Sequence, residues 1–203
     1  MILGMTGGVG SGKSTVSGFL EKEYGFVFIG TDDVAKDMMR NDEALKKELK
    51  KAFGESIYRQ CGELDKKEYA RIIYQNEENL RRSNEIVHPA VWAKVQEMIL
   101  KKRVEAVLRN EKEPDFLVET ALPGETFKEF CDELWFVKTE KEARIARLMT
   151  SRGYTREYAL SIIENQQPDS FFENLSDVVI ENSGTPSETY EQVRKELKRL
   201  TGN

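Results

Sequence analysis

Apolar positions along this chain follow two rhythms. The runs Met1-Ile2-Leu3-Gly4-Met5-Thr6, Phe26-Val27-Phe28-Ile29, Phe116-Leu117-Val118, Leu134-Trp135-Phe136-Val137 and Val178-Val179-Ile180 have the length and content of buried strands. Between them apolar residues recur with helical spacing: Val16, Phe19 and Leu20; Leu45, Leu49 and Phe53; Tyr69, Ile72 and Ile73; Val91, Val95, Met98 and Ile99; Tyr190, Val193, Leu197 and Leu200. Boundary residues agree with this division. Gly25 and Gly54 stop helices, Asp65 with Glu68 reads as an N-cap and its capping-box partner, and Thr155 reads as another cap. Pro89 suits the first turn of a new helix, and Pro186 opens the last one. Strands alternating with helices predict an α/β fold, a five-stranded and mostly parallel sheet flanked by helices.

The spacing is uneven. The second and third strands are separated by far more chain than a crossover needs, all of it helical in pattern. The excess predicts a helical insertion at about residues 33–88, set in a core of about 1–32, 89–139 and 167–203, with a helical pair at 140–166 as a lid. All of this fits a single domain of 203 residues.

Charge and composition remove several functions. Lys and Arg number 31 against 36 Asp and Glu, a net charge of −5, which weighs against a general nucleic-acid binder and leaves room for a local anion pocket. Cys61 and Cys131 match no zinc spacing and read as reduced thiols. His88 is the single histidine, so zinc sites built on two are excluded and a Ser-His-Asp triad would have to use it. No apolar run approaches the roughly 20 residues of a membrane span, and no leader pattern opens the chain. A cytoplasmic protein is expected, with no membrane, nucleic-acid or obligate protein partner.

The strongest chemical signal is Gly7-Gly8-Val9-Gly10-Ser11-Gly12-Lys13-Ser14, which satisfies G-x-x-x-x-G-K-[ST] between a strand and a helix. Glycines let successive backbone N–H groups turn toward a polyphosphate, and the following helix aims its positive end at the same anion. Lys13 would reach the β- and γ-phosphates, and Ser14 would offer its hydroxyl to Mg²⁺. A dinucleotide fold is disfavoured because Lys13 stands where G-x-G-x-x-G, counted from Gly8, needs its last glycine.

The chain lacks the N-K-x-D and D-x-x-G segments of switch GTPases, and its Asp132-Glu133 pair precedes a strand instead of ending one. Phosphotransfer remains. Asp32 and Asp33 follow the second strand, at the edge where open parallel sheets bind ligands. Two readings of Asp32 stay open: a cap for the next helix, or a base for an attacking hydroxyl. Arg144, Arg147 and Arg152 are either a solvated face or lid cations for the transferring phosphoryl group. Taken without context, His88 before Pro89 has the character of a structural residue. A kinase for another nucleoside or nucleotide, and a non-catalytic nucleotide sensor, remain as rival functions.

These motifs together resemble the dephospho-CoA kinase family over nearly the whole chain. The opening Thr6-Gly7-Gly8-Val9-Gly10-Ser11-Gly12-Lys13-Ser14-Thr15-Val16 is similar to the family's T-G-G-[IV]-G-S-G-K-S-T-V. Phe53-Gly54, Gly62-Glu63-Leu64-Asp65 and His88-Pro89 follow in the family's order, then Arg147-Leu148 with Arg152, then Asp177-Val178-Val179-Ile180-Glu181-Asn182-Ser183-Gly184. The resemblance implies a P-loop kinase that uses ATP and Mg²⁺ to phosphorylate the ribose 3′-hydroxyl of dephospho-CoA. It implies that Asp32 is the base and that Gly8, Gly10, Ser11, Gly12, Lys13, Ser14 and Thr15 hold the ATP phosphates. Arg147 would contact them from the lid, Asn182 to Gly184 would lie near the adenine, and Ser14 would be the metal ligand. His88 belongs to the acceptor side, and Lys36 stands where the family usually has Arg.

Overall fold

The first apolar run buries Leu3 and Met5 completely on one side of a strand, and the central runs are covered on both faces, Phe116, Leu117 and Val118 and the whole of Leu134 to Val137 being buried. In the computed structural model, which describes residues 1–202, the elements begin with β1 (Ile2–Thr6), α1 (Lys13–Tyr24), β2 (Val27–Gly30), α2 (Thr31–Asn41) and α3 (Glu43–Phe53). A short 3₁₀ turn at Glu55–Ile57 leads to α4 (Lys66–Ile73), α5 (Glu77–Leu108), β3 (Phe116–Glu119), α6 (Glu125–Phe130) and β4 (Glu133–Lys138). The chain ends with α7 (Lys141–Arg152), α8 (Arg156–Glu164), α9 (Asp169–Leu175), β5 (Val178–Glu181) and α10 (Pro186–Thr201). These elements form two units, Met1–Ile29 with Glu113–Asn203, and Gly30–Lys112.

The first unit is built on a five-stranded parallel sheet of order β2-β3-β1-β4-β5. β1 lies at its centre, paired with β3 on one side and β4 on the other, so Leu3 is opposite both Leu117 and Glu133. From β1 the chain crosses to the edge strand β2, returns to β3 beside β1, and then passes to β4 and β5 on the other side. The carboxyl end of β1 therefore lies where the winding reverses, the position at which open parallel sheets leave a ligand crevice.

One sheet face packs Leu3, Met5, Leu117, Trp135, Val137 and Ile180 against Val16, Phe19 and Leu20 of α1 and Val193 and Leu197 of α10. On the opposite face Phe136 stacks on Phe172 of α9 with ring centroids 5.2 Å apart. Glu133 is buried at the start of β4 with its charge answered, accepting from the Trp135 indole N–H at 3.1 Å and pairing with Arg199 of α10. Thr185 and Glu188 close a reciprocal capping box at the start of α10, and Thr155 caps α8 through the Tyr158 N–H.

The second unit packs α2, α3 and α4 on α5. Asp65 caps α4 by accepting from the Lys67 and Glu68 amides, and Gly54 ends α3 as expected. The Tyr58 hydroxyl donates to the Met39 carbonyl at 2.9 Å, and burial pushes its pKa to about 12. One expectation is corrected here. Pro89 opens no helix; it lies inside α5, which runs unbroken for 32 residues, so the expected division at residue 88 falls within a helix. An interior proline costs roughly 3 kcal/mol through its lost N–H and its clash with the preceding turn. Ser83, Val87, Val91, Val95 and Ile99 form a buried stripe that spans residue 89, and packing of that stripe offsets the local preference.

Cys61 is exposed, Cys131 is partly buried, and both are free thiols; burial raises the Cys131 thiol to about 12. Among the described residues no helix is long and apolar enough to cross a membrane. Because α1 is seated on the sheet through Leu20, fully buried in that core, Leu20→Ala is expected to lower stability by about 2–5 kcal/mol. The check is a lower urea midpoint with an unchanged m-value.

Candidate active site

A loop that turns its amides toward an anion must turn its carbonyls outward, where they need donors of their own. Residues 7–12 meet that requirement almost one by one. The Gly7 carbonyl accepts from Lys13 Nζ at 2.8 Å. The Gly8 carbonyl accepts from the Ser11 amide at 3.2 Å and from Lys13 Nζ at 3.4 Å. Val9 gives its carbonyl to Arg144 Nε at 2.9 Å. The Ser11 carbonyl takes three donors: Asn182 Nδ2 at 2.7 Å, Thr139 Oγ1 at 2.8 Å and Arg147 Nη1 at 3.2 Å. Gly12 accepts from the Thr15 and Val16 amides in the first turn of α1.

The amides contrast with the carbonyls. Among the described residues, the backbone N–H groups of Gly8, Gly10, Gly12 and Ser14 meet no protein acceptor. Gly12, the N-cap of α1, has φ 87, a left-handed conformation that costs any other residue strain, and so α1 begins with its amide end toward the loop. Together these features form a cradle of open donors with a lysine at its rim, the chemistry a polyphosphate requires. Lys13 Nζ also lies 3.6 Å from Glu119 at the end of β3.

The arginines divide by environment. Arg144 is 5% exposed, and burial pushes its guanidinium below its ordinary value, with Asp169 opposing the shift from 3.6 Å. Arg147 is half-buried, spanning Ser11 and Thr139 with Nη1 and donating Nη2–H to the Asn182 carbonyl at 2.5 Å. Asn182 is itself buried, and its Oδ1 accepts from the Thr189 hydroxyl at 2.8 Å, so its side chain is committed to holding Ser11. Gly184 lies in the exposed turn before α10.

In the first unit the structure thus brings together Gly8, Gly10, Ser11, Gly12, Lys13, Ser14, Thr15, Arg147 and Asn182. Asp32, Lys36 and His88 belong to the second unit. Asp32 occupies the first turn of α2, yet the cap of that helix is Gly30 and no side chain caps it. The capping reading is set aside: the exposed Asp32 carboxylate makes no hydrogen bond or ion pair among the described residues. Asp33 binds Lys36 at 2.8 Å, and this bond holds the Lys36 ammonium above its ordinary pKa. His88 lies on α5 beside an open cleft of about 470 Å³ that includes Leu80, Arg81 and Asn84.

Sequence reasoning missed Thr139, Gln166 and Glu119, and for Arg144 weighed a solvated face against a lid cation, not a buried donor to the loop. One signal pointed to Arg144, the doubled glycine. A side chain at Gly8 would run into the Arg144 guanidinium, its carbon lying 2.6 Å from an added Cβ.

Strand order, glycine cradle and loop lysine define a P-loop phosphotransferase. Comparison with known proteins identifies which one. The family model CoaE, dephospho-CoA kinase, matches residues 1–188. The dephospho-CoA kinase of Geobacillus kaustophilus is 34% identical over 199 residues, covering 98% of this chain and 96% of that one. That of Carboxydothermus hydrogenoformans is 32% identical over 198 residues, covering 98% and 93%. The crystal structure of TT1252 from Thermus thermophilus superposes with a TM-score of 0.76 at 28% identity, covering 98% of this chain and 97% of that one. The chain belongs to the dephospho-CoA kinase family.

As the single histidine, His88 reports on its surroundings. The adjoining protein disfavours its charged form and lowers its pKa from 6.5. The unfolded chain then binds a proton more readily than the folded one, so the His88 contribution to stability falls as pH drops below 6.5. The imidazole resonance should titrate with a midpoint below 6.5, and His88→Gln should flatten the acid limb of a stability–pH curve.

Proposed function

We propose that this chain transfers the γ-phosphoryl group of ATP to the ribose 3′-hydroxyl of dephospho-CoA, giving CoA and ADP. The carrying observation is the loop itself: most of its carbonyls are supplied with donors from the protein while the Gly8, Gly10, Gly12 and Ser14 amides are left open, in a chain matched by the family model over residues 1–188. Gly8, Gly10, Ser11, Gly12, Lys13, Ser14 and Thr15 hold the phosphates. Lys13 exchanges its carbonyl contacts for phosphoryl oxygens and stabilises charge as it develops. Arg147, anchored through Ser11 and Asn182, adds a guanidinium beside the nucleotide, with Asn182 and Gly184 on its adenine side.

The donor set suits Mg²⁺. Among the described residues no group of three or more His, Cys, Asp or Glu is placed to hold an ion. Mg²⁺ favours few protein ligands, with phosphate oxygens and water completing its shell, and the exposed Ser14 hydroxyl is the protein ligand proposed. When bound, the ion neutralises charge between the β- and γ-phosphates.

Asp32 accepts the proton of the attacking 3′-hydroxyl. Its uncapped, unpaired carboxylate supports that role, because no bond must break before it engages the acceptor. The helical unit Gly30–Lys112 takes the acceptor, with Lys36 and His88 meeting it, and the α7–α8 pair is the lid. The test is ADP release from ATP and Mg²⁺ with and without dephospho-CoA, with the product identified by mass. Acceptor-dependent release with one phosphate added supports the reading; ATP binding without acceptor-dependent turnover overturns it. Asp32→Asn should lower turnover about 10²–10⁴-fold and leave nucleotide binding nearly unchanged. Near-parental turnover in that variant would remove Asp32 as the base.

A further inference from the structure

Val9 is held by its amide and its carbonyl at once, both through side chains from outside the loop. Its N–H donates to Gln166 Oε1 at 3.0 Å, and its carbonyl accepts from Arg144 Nε at 2.9 Å. The ring is closed by Arg144 Nη2, which donates to the same Gln166 oxygen at 2.6 Å. Two donors converge on that atom, so it is the amide oxygen and not the nitrogen. Gln166 follows α8 and Arg144 lies in the first turns of α7. The two ends of the α7–α8 pair thus grip one residue of the loop.

Packing strengthens the grip. An added Cβ on Gly10 would come within 3.1 Å of the Arg144 carbonyl and 3.2 Å of Leu148 Cγ, and one on Gly8 would meet the Arg144 guanidinium. The loop is glycine-rich here because α7 lies across it. Asp169, 3.6 Å from Arg144 Nη1, balances the buried charge. With Val9 committed outward, the neighbouring Gly8 and Gly10 amides, which have no protein acceptor, stay available for the anion.

We propose that Gln166 is a positioning residue for the phosphate loop: its single acceptor oxygen, shared between Val9 and Arg144, sets the loop tip and ties it to both ends of the α7–α8 pair. This deepens the function given above and rests on the loop being the ATP site. Gln166 touches no substrate. Its effect falls on nucleotide affinity, which depends on where the loop amides point, and leaves the acceptor side untouched.

The acceptor chemistry supplies the test. Gln166→Met keeps the length and bulk of the side chain but offers only a weak acceptor, whereas Gln166→Glu keeps an oxygen for both donors. In the Met variant the KM for ATP and the dissociation constant for ADP should rise about tenfold, with the KM for dephospho-CoA and the unfolding temperature near parental. The Glu variant should restore both to within about threefold of the parent. Hydrogen exchange at the Val9 amide gives a readout independent of nucleotide. It should quicken about tenfold in the Met variant and stay slow in the Glu variant. Parental exchange and ATP affinity in the Met variant would overturn the proposal, as would a Glu variant as impaired as Met. A Met variant that loses stability and kcat while keeping its KM for ATP would make Gln166 structural only. If the parent itself failed to bind ATP, the functional reading would fall, while accelerated Val9 exchange would still identify the clamp.

Discussion

Each peptide unit carries its N–H and its C=O at opposite ends, and this loop cannot escape that constraint. Whatever it offers an anion with its amides, it must compensate with donors for its carbonyls. Here the donors come from four places: Lys13 within the motif, Thr139 after β4, Arg144 and Arg147 on α7, and Asn182 after β5. The motif specifies the lysine alone among them. The other side-chain donors are supplied by residues far away in sequence, and the sheet order, which places β4 beside β1 and β5 beside β4, brings them within reach.

This also explains why the charges near the loop are so unequally exposed. A guanidinium that serves backbone carbonyls can be buried when it is hydrogen-bonded to good acceptors and a countercharge stands nearby. Arg144 satisfies both conditions, with Val9, Gln166 and Asp169 around it, and can be buried. Lys13 is held less rigidly, resting on loop carbonyls that a phosphate oxygen could replace. The division suits a site that binds and releases its anion: the fixed cations build the loop and the exchangeable one meets the ligand.

The strands, the main helices and the phosphate motif were legible in the sequence because each rests on local physics: short continuous apolar runs, caps, and glycine where the backbone turns. Three features were not. Pro89 carries a local stop signal that a continuous buried stripe overrules, and no window around residue 89 contains that stripe's packing partners. The Asp32 signal was ambiguous for the opposite reason, since cap and base need the same residue type; Gly30 as the actual cap removes the first reading only. Gln166 carried no local signal, because a side-chain oxygen that serves an amide 157 positions away leaves no periodicity behind. Only the Gly7-Gly8 doublet registered Arg144, as a space left empty.

The Ser11 carbonyl has a bearing on how the chain comes to be folded at all. Its three partners lie 128, 136 and 171 positions downstream. During synthesis the glycine motif emerges well before Thr139, Arg147 and Asn182, and the last group that shapes it emerges only when β5 has been made. Contacts of such long range are formed late and at high entropic cost. A nascent chain that already contains the whole motif therefore lacks an organised loop, and the capacity to engage nucleotide arrives with the final strand.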